Sequence, residues 1–108
     1  MCTKNSKNIS EDDMRRVECV ENFLRPELEK MGFRLSKRHY HKNIFWFWIS
    51  RKGFLHFPIA ALNIIVPENK MKLDVFELVL PEEDMIDNLL KECSKLCDIQ
   101  ILEPWLVI

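Results

Sequence analysis

The run Ile44-Phe45-Trp46-Phe47-Trp48-Ile49 is apolar at every position and places four aromatic rings in a row. In an extended strand, Phe45, Phe47 and Ile49 point to one face and Ile44, Trp46 and Trp48 to the other. Both faces are therefore apolar. Each large aromatic has roughly 150–250 Å² to bury, so two left open together approach the size of an interaction patch. Either the chain covers this strand on both sides, or one side is offered to another molecule. The candidates are a protein partner, a second copy of the chain, or nucleic-acid bases.

Working outward, Phe33–Tyr40 reads as the preceding strand, with His41-Lys42-Asn43 as the turn and Ile44–Arg51 as its partner. Lys52-Gly53 turns the chain into Phe54–Phe57. Pro58 cannot donate to a ladder, so the next strand resumes at Ile59–Val66. Pro67-Glu68-Asn69-Lys70 is a turn by composition, and Met71–Leu80 is the following strand. Ile99–Leu102 is a short last strand that Pro104 ends or marks as an edge.

Helices flank this β region. Ser10 with Asp13 forms a capping-box-like start, and Glu11, Asp12 and Asp13 suit the positive end of a helix dipole. Met14, Val17, Val20, Phe23, Leu24, Leu28 and Met31 then recur at helical spacing. Pro26 lacks the N–H that would bond Asn22, which predicts a kink or break near Arg25. Gly32 suits the C-terminal stop. The second helix opens at Pro81 with Glu82, Glu83 and Asp84 in its first turn and Lys91 and Lys95 toward its end. Its apolar stripe is Met85, Ile86, Leu89, Leu90, Cys93, Leu96 and Cys97. The expected fold is α+β: a single small domain over 10–108 behind a flexible tail at 1–9. Its antiparallel sheet has about four to five strands, with two helices packed on one face, in the order α-β-β-β-β-α-β.

A length of 108 residues, with 47% hydrophobic and 31% charged residues, fits one globular domain rather than a disordered chain. No apolar run is long enough to cross a bilayer, and the polar stretch Met1–Asn8 has no apolar segment of a secretory signal. A soluble, cytoplasmic protein without membrane contact is expected. Cysteines stand at 2, 19, 93 and 97. With nothing indicating export they are expected as free thiols, Cys19 as a surface thiol, and a pair four apart on one helix rarely has bridge geometry.

The net charge of −1 conceals an asymmetry. Between Lys30 and Pro67 stand Lys30, Arg34, Lys37, Arg38, Lys42, Arg51 and Lys52 without one acid, while both flanking segments are acidic. The halves can neutralise each other across the fold, or the basic segment can meet an anionic partner. Basic side chains beside exposed rings are what single-stranded nucleic-acid platforms need; equally, they can keep an apolar hairpin soluble and blunt its edges.

His39 and His41, two apart, could join Cys93 and Cys97 as two nitrogen and two sulfur ligands for zinc. Against this, those cysteines lie in an apolar stripe, where cysteine acts as a small hydrophobe. The same histidines, with His56 as a third candidate, could serve a ribonuclease as base and acid, with Arg34 or Arg38 on phosphate charge. No phosphate loop, paired-carboxylate motif or nucleophile signature accompanies them. Leu28-Glu29-Lys30-Met31-Gly32-Phe33, followed by a basic strand with histidine, resembles the opening of HicA-type RNA-cleaving toxins. Those toxins carry a Gly-Ser-His context where this chain has Arg38-His39-Tyr40-His41, so no active site carries over.

The resulting expectation is a small non-enzymatic binding or regulatory protein with no catalytic residues, metal or cofactor. By class analogy it is an inhibitor or immunity-type protein of a phage or mobile element. Its partner is expected to be a protein or a second copy, anchored by Trp46, Trp48 or Trp105 with a rim of Arg34, Lys37, Arg38 and Arg51. The acidic run Glu82, Glu83, Asp84 and Asp87 is the alternative surface. The apolar tail Pro104–Ile108 is expected to close the sheet or to pair with a partner's edge. The alternatives are an RNA or single-stranded nucleic-acid module, and a small histidine-dependent ribonuclease.

Overall fold

The aromatic run lies in β3 (Ile44–Arg51), which pairs antiparallel along its whole length with β4 (Pro58–Ile65). The computed structural model describes residues 9–54, 56–77 and 81–102, together with the backbone of 106–107. Residues 1–8 of the tail expected at 1–9 lie outside the described residues, and Ile9 packs against the core.

The sequence-based α+β reading holds, with two helices and one sheet. The element order is α1 (Glu11–Lys30), β1 (Phe33–Leu35), β2 (His39–His41), β3, β4, β5 (Lys70–Val75), α2 (Glu83–Cys97), β6 (Gln100–Ile101) and β7 (Leu106–Val107). The sheet runs β1-β3-β4-β5-β6, with β2 also on β3 and β7 also on β5. It is mixed rather than purely antiparallel, because β6 and β7 both run parallel to β5. The chain leaves β5, crosses through α2 and returns alongside it, which is the connection a parallel neighbour requires.

Three of the expected β segments differ in the structure. Phe33–Tyr40 divides into β1 and β2, which pair with opposite halves of β3. At the interruption, the Trp48 N–H donates to Ser36 Oγ at 2.8 Å, so a hydroxyl replaces a backbone acceptor. The Leu35 and Ser36 carbonyls instead accept from the Arg25 guanidinium of α1, at 2.6 and 3.2 Å. Phe54, His56 and Phe57 are not in a strand: Phe57 N–H donates to the Phe54 carbonyl in a turn. Pro58 is the first residue of β4, where a register shift against Ser50 makes its missing donor harmless. Met71–Leu80 shortens to β5, and residues 78–80 lie outside the described residues.

The turns follow their residues. Lys42 and Asn43 both have positive φ (48° and 69°), the conformation of a two-residue hairpin that matches strand twist. Gly53 turns β3 toward β4 at φ 89°.

Helix α1 runs continuously through Pro26, so the chain does not break there. Pro26 and Asn22 are both exposed, so the unpaired Asn22 carbonyl faces the solvent side, while Leu24 and Leu28 anchor the flanking turns in the core. Ser10 caps the helix by accepting from Asp13 N–H, as its sequence suggests. Both helices bury one stripe: Val17, Val20, Leu24 and Leu28 from α1, and Ile86, Leu90, Cys93 and Cys97 from α2. They cover a single face of the sheet, where Phe47, Leu62 and Leu73 form a cross-strand row that is completely sealed. Each such side chain contributes about 1.5–3 kcal/mol of burial. Met85 and Leu96, expected in the α2 stripe, are exposed instead.

The expectation of free thiols fails for two of the four cysteines. Cys19 and Cys97 form a disulfide that ties α1 to α2, with Cα atoms 5.6 Å apart. Cys19 is therefore not a surface thiol. Cys93 is free and buried, and burial pushes its thiol up to about 12, so it stays protonated and inert. Cys2 lies outside the described residues.

Candidate binding face

The other face of the sheet has no helix over it. Cross-strand register places its side chains in rows, since directly paired residues share a face. One row is His39, Trp46, Asn63 and Lys72; the next is Trp48, Ala61 and Asp74. Arg34 pairs with Ser50 further along, and His41, Ile44, Ile65 and Lys70 form the row at the opposite end. Trp46 and Trp48 thus point away from both helices. Trp46 is half-buried and Trp48 is 36% exposed.

Both indoles are braced by neighbours. The His39 imidazole stacks on Trp46 with centroids 5.3 Å apart and planes 15° from parallel. Phe76, just beyond β5, meets Trp48 at 6.2 Å in a tilted arrangement. Ala61 opposite Trp48 is small, which leaves the indole standing above its neighbour. Beside Trp48 lies an open hollow of about 310 Å³ lined by Arg34, Ser36, Trp48, Ser50 and Pro58. The loop leading into Pro58 carries Phe54 and Phe57, which are 62% and 72% exposed.

Charge on this face is partly paired. Arg34, Lys70 and Lys72 belong to it with His39 and His41; Lys70 Nζ lies 3.8 Å from Glu68 Oε1, and Asp74 is the acid set among its strand residues. Asp74 Oδ2 accepts from Asn63 Nδ2 at 3.0 Å, and Lys72 Nζ faces Oδ1 at 3.5 Å. That carboxylate is already neutralised. Arg34, Lys37 and Lys42 are exposed and make no ion pair among the described residues.

The basic residues of the sequence therefore divide into two groups. Arg38 and Arg51 turn to the helix side. Arg38 donates to Glu21 Oε1 through Nε and Nη2, at 3.1 and 2.8 Å, and sits 6.0 Å from the Phe45 ring centroid. Arg51 lies over Phe33 and pairs with Glu82 at 3.0 Å and Glu77 at 3.3 Å. The Glu82 hydrogen bond holds the Arg51 guanidinium above its ordinary range, and the same bond holds the Glu82 carboxyl below its own. Both arginines serve the fold, clamping sheet to helices. Trp46, Trp48 and Arg34 come together on the open face, and Trp105 lies outside the described residues.

Phe54, Phe57, Pro58 and Phe76 belong to this region although the strand reading passed over them. Gly53 and Pro58 bracketing two phenylalanines was the available signal for an aromatic loop. The acidic run on α2 is partly consumed, with Glu82 on Arg51 and Asp87 on Lys91, while Glu83 and Asp84 are exposed in the first turn. Among the described residues no three histidine, cysteine or acidic side chains cluster as metal ligands, and Cys97 is bonded to Cys19. Against known proteins, the chain matches no family model, no curated protein and no solved structure.

Proposed function

We propose that this chain is a small non-enzymatic binding protein that acts by macromolecular contact through the open face of its sheet. The observation that supports it is the placement of half-buried Trp46 and exposed Trp48 side by side on the face that neither helix covers. A sheet with one packed and one solvated face ordinarily alternates apolar with polar residues. Two indoles at the solvated positions of β3 break that rule at a cost in solubility. Contact with a partner recovers the cost.

An inhibitor or regulator of the immunity type fits this reading, because covering a site needs a rigid anchor and no catalytic group. No helix of the described residues is long and apolar enough to cross a membrane. A cytoplasmic location is part of the proposal. A Cys19–Cys97 bond persists in oxidising surroundings, so labelling of those thiols in intact cells tests the location.

The test of function is a paired measurement on Trp46→Ala and Trp48→Ala. Affinity capture from the organism that makes the protein, together with light scattering for self-association, should show partner or self-contact weakened while the fold persists. If both variants simply unfold the protein and folded protein binds nothing, the open face has no docking role.

A further inference from the structure

We infer that the partner of the open face is single-stranded nucleic acid, with bases stacking at Trp46 and Trp48 and phosphates meeting Arg34 and Lys37. This rests on the open-face reading above and names its ligand. Three features on that face lead to it.

The first is charge. Asp74 is held by Asn63 and Lys72, Glu21 takes up Arg38, and Glu77 with Glu82 takes up Arg51. What remains outward on this side without an ion pair among the described residues is cationic: Arg34 at the hollow, and Lys37 and Lys42 in the flanking connections. A second copy laid face to face would set these cations against their own kind, which is unfavourable for docking. An anionic partner is complementary.

The second is the placement of the rings. Trp46 and Trp48 are two residues apart on one strand, roughly 7 Å, and point the same way. Neighbouring rings on a sheet surface let consecutive unstacked bases each find a partner, and stacking tolerates any sequence because every base has a π-face. His39 covers one side of Trp46 and Phe76 steadies Trp48, so little ring freedom is lost on binding.

The third is the hollow beside Trp48. Its walls are largely an indole and a proline ring, and its charged group is the Arg34 guanidinium. A flat apolar ring joined to an anion suits such a site. An acidic peptide supplies the anion without the ring, and a duplex hides its bases.

The probe is a fluorescently labelled, mixed-sequence RNA of about 12 nucleotides, with the DNA version, a duplex and poly-glutamate run beside it. Anisotropy should show the single strands bound at low salt, the duplex weaker, and affinity falling with salt. Trp48→Ala and Trp46→Ala should each weaken binding roughly fivefold to a hundredfold. Arg34→Ala should reduce the slope of log K against log salt by about 0.7. Arg51→Ala, on the helix side, should leave affinity unchanged. Poly-glutamate bound as well as RNA and lost in Trp48→Ala would overturn the nucleic-acid assignment and leave the open face as a protein site. Nucleic acid bound with equal affinity by folded Trp46→Ala and Trp48→Ala would overturn both the assignment and the open-face reading. No binding of either single strand at low salt also rejects the assignment.

Discussion

His39 and Trp46 occupy directly opposed positions of β2 and β3, and their rings lie stacked 15° from parallel on the face away from the helices. β2 is three residues long and, among the described residues, reaches the sheet through β3 alone. The stack therefore does two things at once: it holds a short edge strand in register and fixes the plane of an indole.

Replacing His39 by Ala should remove that brace. Ring pairs of this kind contribute about 0.5–1.5 kcal/mol beyond area burial, and the loss should fall in that range in urea unfolding. Tryptophan emission should shift toward the red as Trp46 gains solvent. Unchanged stability together with unchanged emission would mean the stack carries no weight.

The two groups of arginines make opposite demands. Arg51 is held between Glu77 and Glu82 and over the Phe33 ring, so Arg51→Ala loses packing as well as charge. A loss of about 1–2 kcal/mol is expected, moderated because Arg51 is one-third exposed. Arg34 makes no ion pair among the described residues, and Arg34→Ala should stay within about 0.5 kcal/mol of the wild type. Thermal unfolding of both variants checks the contrast; equal losses would erase the division between structural and outward-facing bases.

Periodicity made most of the fold legible. The apolar spacing of Val17, Val20, Leu24 and Leu28, and the alternation through β3, correspond to buried positions in the structure. Pattern could not reveal relations between distant residues. Nothing near Cys19 signals that residue 97 will lie beside it, since the two helices meet only through tertiary packing. The parallel seating of β6 and β7 depends on the crossover rather than on their own residues. In the site, the sequence grouped Arg34, Lys37, Arg38 and Arg51 as one basic rim. Strand alternation and the positions of Glu21, Glu77 and Glu82 separate them onto two sides. The partners that divide this cluster lie 17 to 31 positions away along the chain.

The Cys19–Cys97 bond closes a loop across a separation of 78 residues. In the chain-entropy account, constraining an unfolded loop of this length is worth about 4.5 kcal/mol, and measured values often fall lower. Cys19→Ser should therefore cost about 2–4 kcal/mol, and reductant should lower the wild type to a similar level while leaving the variant unchanged. A wild type indifferent to reductant would show that the cross-link adds nothing. Cys93 should resist alkylation until unfolding, because it is fully buried with its thiol pushed up to about 12.

Pro26 gives a prediction of the opposite sign. It sits inside a continuous helix at an exposed position and leaves the Asn22 carbonyl without its helical donor. Proline in a helix interior is about 3 kcal/mol less favourable than alanine, partly offset by about 0.4–1 kcal/mol from restricting the unfolded chain. Pro26→Ala should accordingly stabilise the protein by about 2–2.6 kcal/mol. A destabilised variant would show that the ring packs or bends α1 in a way the fold requires.

Glu21 ties α1 to the β1–β2 connection by accepting from Arg25 at 2.7 Å and from Arg38 at 2.8 and 3.1 Å. Burial alone would raise its carboxyl, but the hydrogen bonds of Arg38 and Arg25 outweigh it, and the group lies below its ordinary 4.5. A carboxyl depressed in the folded state binds fewer protons folded than unfolded. Its contribution is complete above the ordinary value and is lost as acid takes the solution down through the depressed one. Glu21→Gln should then cost about 1–2 kcal/mol at neutral pH, a figure kept low by partial exposure of both arginines. Urea midpoints of wild type and variant should converge as the pH falls below the carboxylate range. A gap that stays constant with pH would assign the loss to packing, and Glu21 would no longer be the charge that fastens the helix to the sheet.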